Sequence, residues 1–108
     1  MSVSIVWLDH ELAKIFHFSD NRMERTLVHL ESGKPDRFDL LVGHLDQSKK
    51  VLILSPGGAG SELMDRIRIR FPEIAKRVVG CETLNSADDA AVAAYAVKYF
   101  RKPVKQTT

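Results

Sequence analysis

A chain of 108 residues, 44% hydrophobic and 28% charged, is sized for one domain that buries roughly 60–70% of its unfolded surface. No apolar run approaches bilayer-spanning length, and Met1 to Trp7 meets Asp9 without a basic segment, so neither an anchor nor a signal peptide is expected and the cytoplasm is the default compartment. A net charge of +2 excludes nothing by itself, while the lone cysteine, Cys81, excludes an internal disulfide.

Val3 to Leu8 is rich in β-formers and runs into the polar turn Asp9-His10-Glu11. Leu12 to Phe18, carrying Ala13, Ile15 and Phe16, predicts a second strand. Ser19-Asp20-Asn21-Arg22 is turn chemistry, because Asp and Asn tolerate left-handed backbone and bond their own main chain. Glu24 to Leu30 sets Thr26 and Val28 against Leu27 and His29, the alternation of a third strand. Three strands joined by short turns predict an antiparallel meander. Glu31-Ser32-Gly33-Lys34-Pro35 is then a loop.

Asp36 to Gln47 places Phe38, Leu41, Val42 and Leu45 at helical spacing, which predicts a first helix of about three turns; Gly43 weakens it. Val51-Leu52-Ile53-Leu54 is a short continuous apolar run, the pattern of a strand buried on both faces. Ser55-Pro56-Gly57-Gly58-Ala59-Gly60 cannot extend that strand, and Ser61 reads as the cap of a second helix that runs to Phe71 and stops before Pro72. Arg66 to Phe71 also alternates with period two. The stripe Leu63, Met64, Ile67 and Phe71, and the crossover that the loop requires, favour helix.

Glu73 to Arg77 gives a short helical turn and Val78 to Leu84 a fifth strand. Ser86 with Asp89 resembles a capping box for a third helix, Asp88 to Arg101. Its alanines (Ala90, Ala91, Ala93, Ala94 and Ala96) let the backbone sit close to a sheet, with Val92, Tyr95 and Tyr99 as anchors. The order βββαβαβα predicts an α/β domain over residues 1–101, with a five-stranded mixed sheet in order 3-2-1-4-5 flanked by helices. A basic flexible tail over 102–108 follows. This is the element order of a ribonuclease-H-like sheet.

Two local patterns narrow the fold. Val6 to Phe16 resembles the opening of the middle domain of archaeal and eukaryotic peptide-release factors and their Pelota-type ribosome-rescue relatives. There an Asp-basic turn precedes an Ala-containing strand, and Asp9, His10 and Ala13 match. A later strand of that domain ends in a Gly-Pro-Gly-x-x-Lys loop opening a helix. Pro56 and Gly57 match it, Ser55 replaces a Gly, and Gly60 stands where the Lys would be. The resemblance covers residues 3–100 and looks like the short stand-alone bacterial relatives of the domain. It implies the fold and a link to translation. It does not imply peptide release. The Gly-Gly-Gln loop of release factors lies between the third strand and the first helix, where this chain has Glu31 to Arg37. Gln47 and Gln106, its only glutamines, do not follow Gly-Gly.

The candidate sites follow from charge and loops. Arg66 and Arg70 lie four apart on one helical face and, with Lys98, Arg101 and Lys102, are candidate phosphate contacts; the alternative is that Glu62 and Asp65 neutralise the two arginines. Gly57, Gly58, Gly60 and Ser61 could offer main-chain N–H groups to an anion, or form a tight turn with positive φ at Gly57 or Gly58. Asp9 is either a turn residue or an isolated carboxylate. Glu82, Asp88 and Asp89 are not placed to complete a two-metal nuclease around it.

His10, His17, His29 and His44 lack zinc spacing; His17 and His29 could be cross-strand neighbours, but ordinary polar strand faces explain both. Cys81 reads as a small buried hydrophobe. No cofactor, metal or catalytic constellation is expected. The leading function is a non-catalytic module contacting ribosomal RNA or a ribosome-associated protein, with no membrane partner. A small hydrolase or anion-binding protein using the loop at 55–60 and Asp9 is the alternative, and self-association is left open.

Overall fold

Val51, Leu52, Ile53 and Leu54 are fully buried, because the strand that holds them has a neighbour on each side and helices on both faces. The computed structural model describes residues 2–19, 22–31, 33–34 and 36–100. Asp20, Asn21, Ser32, Pro35, Arg101, Lys102 and the rest of the expected tail lie outside them. The elements in chain order are β1 (Ser2–Leu8), β2 (Leu12–Ser19), β3 (Arg22–His29), α1 (Asp39–Gly43), β4 (Lys50–Ser55), α2 (Ala59–Arg70), α3 (Pro72–Ala75), β5 (Val78–Thr83) and α4 (Asp89–Phe100). The sheet order is β3-β2-β1-β4-β5. β1, β2 and β3 pair antiparallel, while β4 and β5 run parallel to β1.

The period of two along each strand sorts the core into two layers. Val6, Leu8, Ala13, Ile15, Val51 and Ile53 face α1, α2 and α3, meeting Leu41, Val42, Leu63, Ile67 and Ile74. Ile5, Trp7, Phe16, Leu52 and Leu54 face the other way and pack against Val92 and Ala96 of α4. The period-two reading of Arg66 to Phe71 fails on burial: Ile67 is inside while Ile69 is 76% exposed, as a helix requires.

Three local expectations need correction. The first helix is short: only Asp39–Gly43 is α-helical. The turns after it close through i→i+3 bonds, Leu45 N–H to Val42 O at 2.9 Å and Ser48 N–H to Leu45 O at 3.0 Å. Such turns keep nearly helical side-chain spacing, so Phe38, Leu41, Val42 and Leu45 are all buried as the pattern implied.

Ser61 does not cap α2. The cap position is Gly58, and Ser55 does the capping work from the end of β4. Its hydroxyl donates to Gly57 O at 2.7 Å and accepts the Gly60 N–H at 3.1 Å. Neither Gly57 nor Gly58 has positive φ; among the described glycines only Gly33 does, at 89°.

Cys81 is exposed rather than buried. β5 is the edge of the sheet, so the buried member of the pair is Ile53, its register partner one strand inward.

Candidate nucleic-acid interface

The topology fixes where charge collects. β1, β4 and β5 point the same way, so their carboxyl ends form one end of the molecule and their amino ends the other. The carboxyl end carries Asp9, Glu11, Glu31, Asp36, Glu62 and Asp88. The cations there are tied, Lys34 to Glu31 at 2.8 Å and Arg37 to Glu62 at 2.6 Å. Arg37 also stacks over the Phe38 ring, 4.4 Å from its centroid.

At the amino end stand Lys49, Lys50, Arg70, Lys76 and Arg77, with Arg22 at the start of β3 and Lys98 in the last turn of α4, against Glu24, Asp46 and Glu73; Lys76 pairs with Glu73 at 3.3 Å. A cleft of about 350 Å³ lies here, lined by Asp46, Gln47, Ser48, Lys49 and Arg77. Arg77 is held by its donations to Asp46 O at 2.7 Å and Ser48 O at 3.2 Å. Lys49 and Lys50 are exposed. The backbone N–H of Lys49 is anchored on Ser2 O at 3.0 Å.

The sequence-derived candidates fall on both sides of this picture. Arg70 is exposed at the carboxyl terminus of α2, at the basic end. Arg66 is only half-buried but occupied: its Nε and Nη2 donate to both carboxylate oxygens of Asp39, each at 3.0 Å. The neutralising partner is therefore Asp39 on α1. Glu62 and Asp65, the partners expected from sequence, bind Arg37 and Arg68 instead. Lys98 is exposed, but α4 lies across the sheet from α2, so the two do not share a face. Arg101 and Lys102 lie outside the described residues.

Two of the carboxylates that pair with distant cations, Asp39 and Asp89, are held in their charged form. The Arg66 guanidinium holds the Asp39 carboxyl below its ordinary range, chiefly by hydrogen bonding, against a smaller desolvation cost. Lys14 and then Arg25 do the same for Asp89. A depressed carboxyl contributes stability that is present above the unfolded pKa of about 3.9 and is lost as pH falls through the folded value. Asp39→Asn should therefore lower the urea midpoint at about pH 6 and make much less difference near pH 2.5. An equal deficit at both would show that Asp39 acts by packing alone.

The acidic end is committed to structure. Asp9 Oδ1 accepts the N–H groups of Glu11 and Leu12, both at 2.8 Å, an Asx turn of the kind its position suggested. Of the loop candidates, Gly60 has its N–H on Ser55, Ser61 is exposed, and Glu62 puts a carboxylate in the first turn of α2. Among the described residues no cluster of His, Cys, Asp and Glu is placed to hold a metal ion.

His17 and His29 are not cross-strand neighbours, because His17 faces Glu24 and His29 faces Leu12. His17 instead binds the hydroxyl of Ser4 through Nδ1 at 2.7 Å, and Ser4 in turn bonds Ser48. Burial, helped by His44 and countered by Glu24, pulls the imidazole below its ordinary range. Partial desolvation, reinforced by Glu82, pushes the thiol of the exposed Cys81 up, so it is not a ready thiolate.

The fold is shared with solved proteins. Pelota from Archaeoglobus fulgidus superposes with a TM-score of 0.71 at 15% identity, over 90% of this chain and 31% of that one. Pelota from Thermoplasma acidophilum gives 0.70 at 21% identity, over 89% and 32%. An archaeal translation termination factor gives 0.64 at 16% identity, over 95% and 35%. This chain thus spans about a third of the length of the proteins it matches. No family model matches the sequence, and no curated protein matches it significantly. No described helix is long and apolar enough to cross a membrane.

Proposed function

We propose that this chain is a non-catalytic binding module of translation, holding ribosomal RNA by its phosphates at the amino end of the sheet. The link to translation rests on the fold shared with a translation termination factor. The mode of binding rests on one observation, the segregation of charge along the strand axis. Lys49, Lys50, Arg70, Lys76 and Arg77 come from the loops that start β4 and β5 and from the end of α2. The opposite end is acidic and would repel a polyanion, so the charge orients the molecule on RNA as well as attracting it.

The reading assigns no catalytic step. Asp9 Oδ1 is engaged in its turn and the Gly60 N–H on Ser55, so two of the groups on which the alternative hydrolase would draw already have structural partners. Between β3 and α1 the chain keeps only the short connection through Gly33, with no Gly-Gly-Gln.

The test is binding to ribosomal RNA and to ribosomes across a salt series. Log affinity should fall linearly with log salt, and each neutralised contact should lower the slope by about 1. Lys49→Gln, Lys50→Gln and Arg70→Gln together should therefore cut the slope by about 3 and weaken all RNA sequences alike. Arg66→Gln is the contrast: it should lower stability while leaving the salt slope alone. Absence of RNA binding at low salt would sink the reading, and salt-independent capture by ribosomes would move the contact to a ribosomal protein.

A further inference from the structure

We propose that α4 is a self-association surface, pairing antiparallel with α4 of a second copy of this chain about a twofold axis. The sequence of the helix, Asp-Ala-Ala-Val-Ala-Ala-Tyr-Ala-Val-Lys-Tyr-Phe, carries charge only at Asp89 and Lys98. A helix apolar all round is normally covered all round. Here the sheet buries only Val92 and Ala96. Ala90 and Ala94 are exposed on the outer side, and Val97 and Phe100 are 52% and 37% exposed. α2 shows the contrast, presenting Glu62, Asp65 and Arg68 to solvent.

The apolar surface continues past the helix. Val97 and Phe100 form one wall of a cleft of about 210 Å³ whose floor is Val3, Ile5 and Phe18. Met23, the register partner of Phe18, is 52% exposed beside it. A continuous apolar patch of this kind marks a protein contact rather than ordinary surface scatter.

Charge selects the occupant. Asp88 immediately precedes the helix, Asp89 opens it, and Lys98 lies in its last turn. Asp89 is already engaged by Lys14 at 3.1 Å and by Arg25, while Asp88, exposed, accepts the Ala91 N–H through Oδ2 at 3.3 Å and keeps its charge at the surface. Laid antiparallel, each acidic start meets the basic end of the other copy, twice over, and the helix dipoles oppose. A parallel pairing would stack like charges at both ends. Ala90 and Ala94, one turn apart on the exposed side, let the two backbones approach closely. A 12-residue helix is about 18 Å long. That contact sits at the small end of specific interfaces, so a dissociation constant on the order of micromolar is expected.

Sedimentation velocity on the full chain, from about 1 to 200 μM, reads this directly. A reversible dimer should appear across that range. Ala94→Glu should leave a monomer with an unchanged far-ultraviolet spectrum, since the position is exposed and helical. Lys98→Glu should raise the dissociation constant about tenfold at low salt and by less at high salt. A monomer at every concentration overturns the proposal. So does a dimer that ignores Ala94→Glu, because the contact would then lie on another face.

Discussion

Gly60→Ala is expected to cost about 2–3 kcal/mol of stability, whereas Gly57→Ala is expected to be neutral or to stabilise by up to about 1 kcal/mol. The difference comes from what a methyl group meets. At Gly60 it would sit 2.7 Å from Ser55 Oγ and 3.3 Å from both Ser55 Cβ and Ile53 Cγ2. Ser55 Oγ can turn away only by giving up its bonds to Gly57 and Gly60, and Ser55 Cβ and Ile53 are held in the buried end of β4. At Gly57 nothing lies within 4 Å and the backbone is not left-handed, so alanine only restricts the unfolded chain. Urea melts of the two variants measure this. A coupled test adds Ser55→Ala, which removes the obstructing hydroxyl and also its bonds to Gly57 and Gly60. The double variant should lose less than the sum of the singles. Equal effects at Gly57 and Gly60 would show that the loop, and not its contact with β4, sets the cost.

Trp7→Ala is expected to cost more, about 3–5 kcal/mol. The indole is 4% exposed in the layer beneath α4, and its Nε1–H donates to Leu84 O at 3.0 Å. That bond ties the middle strand of the sheet to the connection between β5 and α4. Trp7→Phe keeps most of the bulk but strands the Leu84 carbonyl, for a cost of about 1–3 kcal/mol. Because Trp7 is the only tryptophan, the variants must be followed by circular dichroism, whereas the wild-type protein reports its own unfolding by fluorescence. A Trp7→Phe variant as stable as wild type would show that packing alone holds the indole.

The sheet was legible from residues whose neighbours in sequence are also their determinants. Val51 to Leu54 had to be a strand buried on both faces, and the glycine loop after it demanded a crossover. Strand order followed from that chain of connections. The first helix was harder, because Phe38, Leu41, Val42 and Leu45 satisfy helical spacing equally in a true α-helix and in successive tight turns. The capping of α2 was hidden for another reason: Ser55 reaches forward from a strand, where cap rules look only at the residue just before the helix.

The basic end was readable in part. Arg70 was named from its spacing on α2. Lys49, Lys50 and Arg77 were passed over because the lysines lie at the start of β4 while Arg77 precedes β5, far along the chain. Their proximity follows only when the 1-4-5 parallel order is combined with the charges at the start of each strand. The pairing of Arg66 with Asp39 was beyond any local rule, since the two residues are 27 apart and Glu62 and Asp65 lie on the same helix as Arg66.

The outer rim of β5 has a bearing on how this protein behaves when concentrated. An edge strand with few charges is an invitation to sheet extension and fibrillar growth. Val78–Thr83 carries one charged side chain, Glu82, along the whole of its length. Two features spoil the template. The register slips between Val51 and Leu52, which twists the start of the strand out of line. The Tyr99 hydroxyl then donates to Val79 O at 3.0 Å, and its ring lies over Gly80, where any side chain would displace it. The slip and the tyrosine, for whose ring Gly80 leaves the room, thus obstruct part of the edge that a second β5 would need for sheet extension.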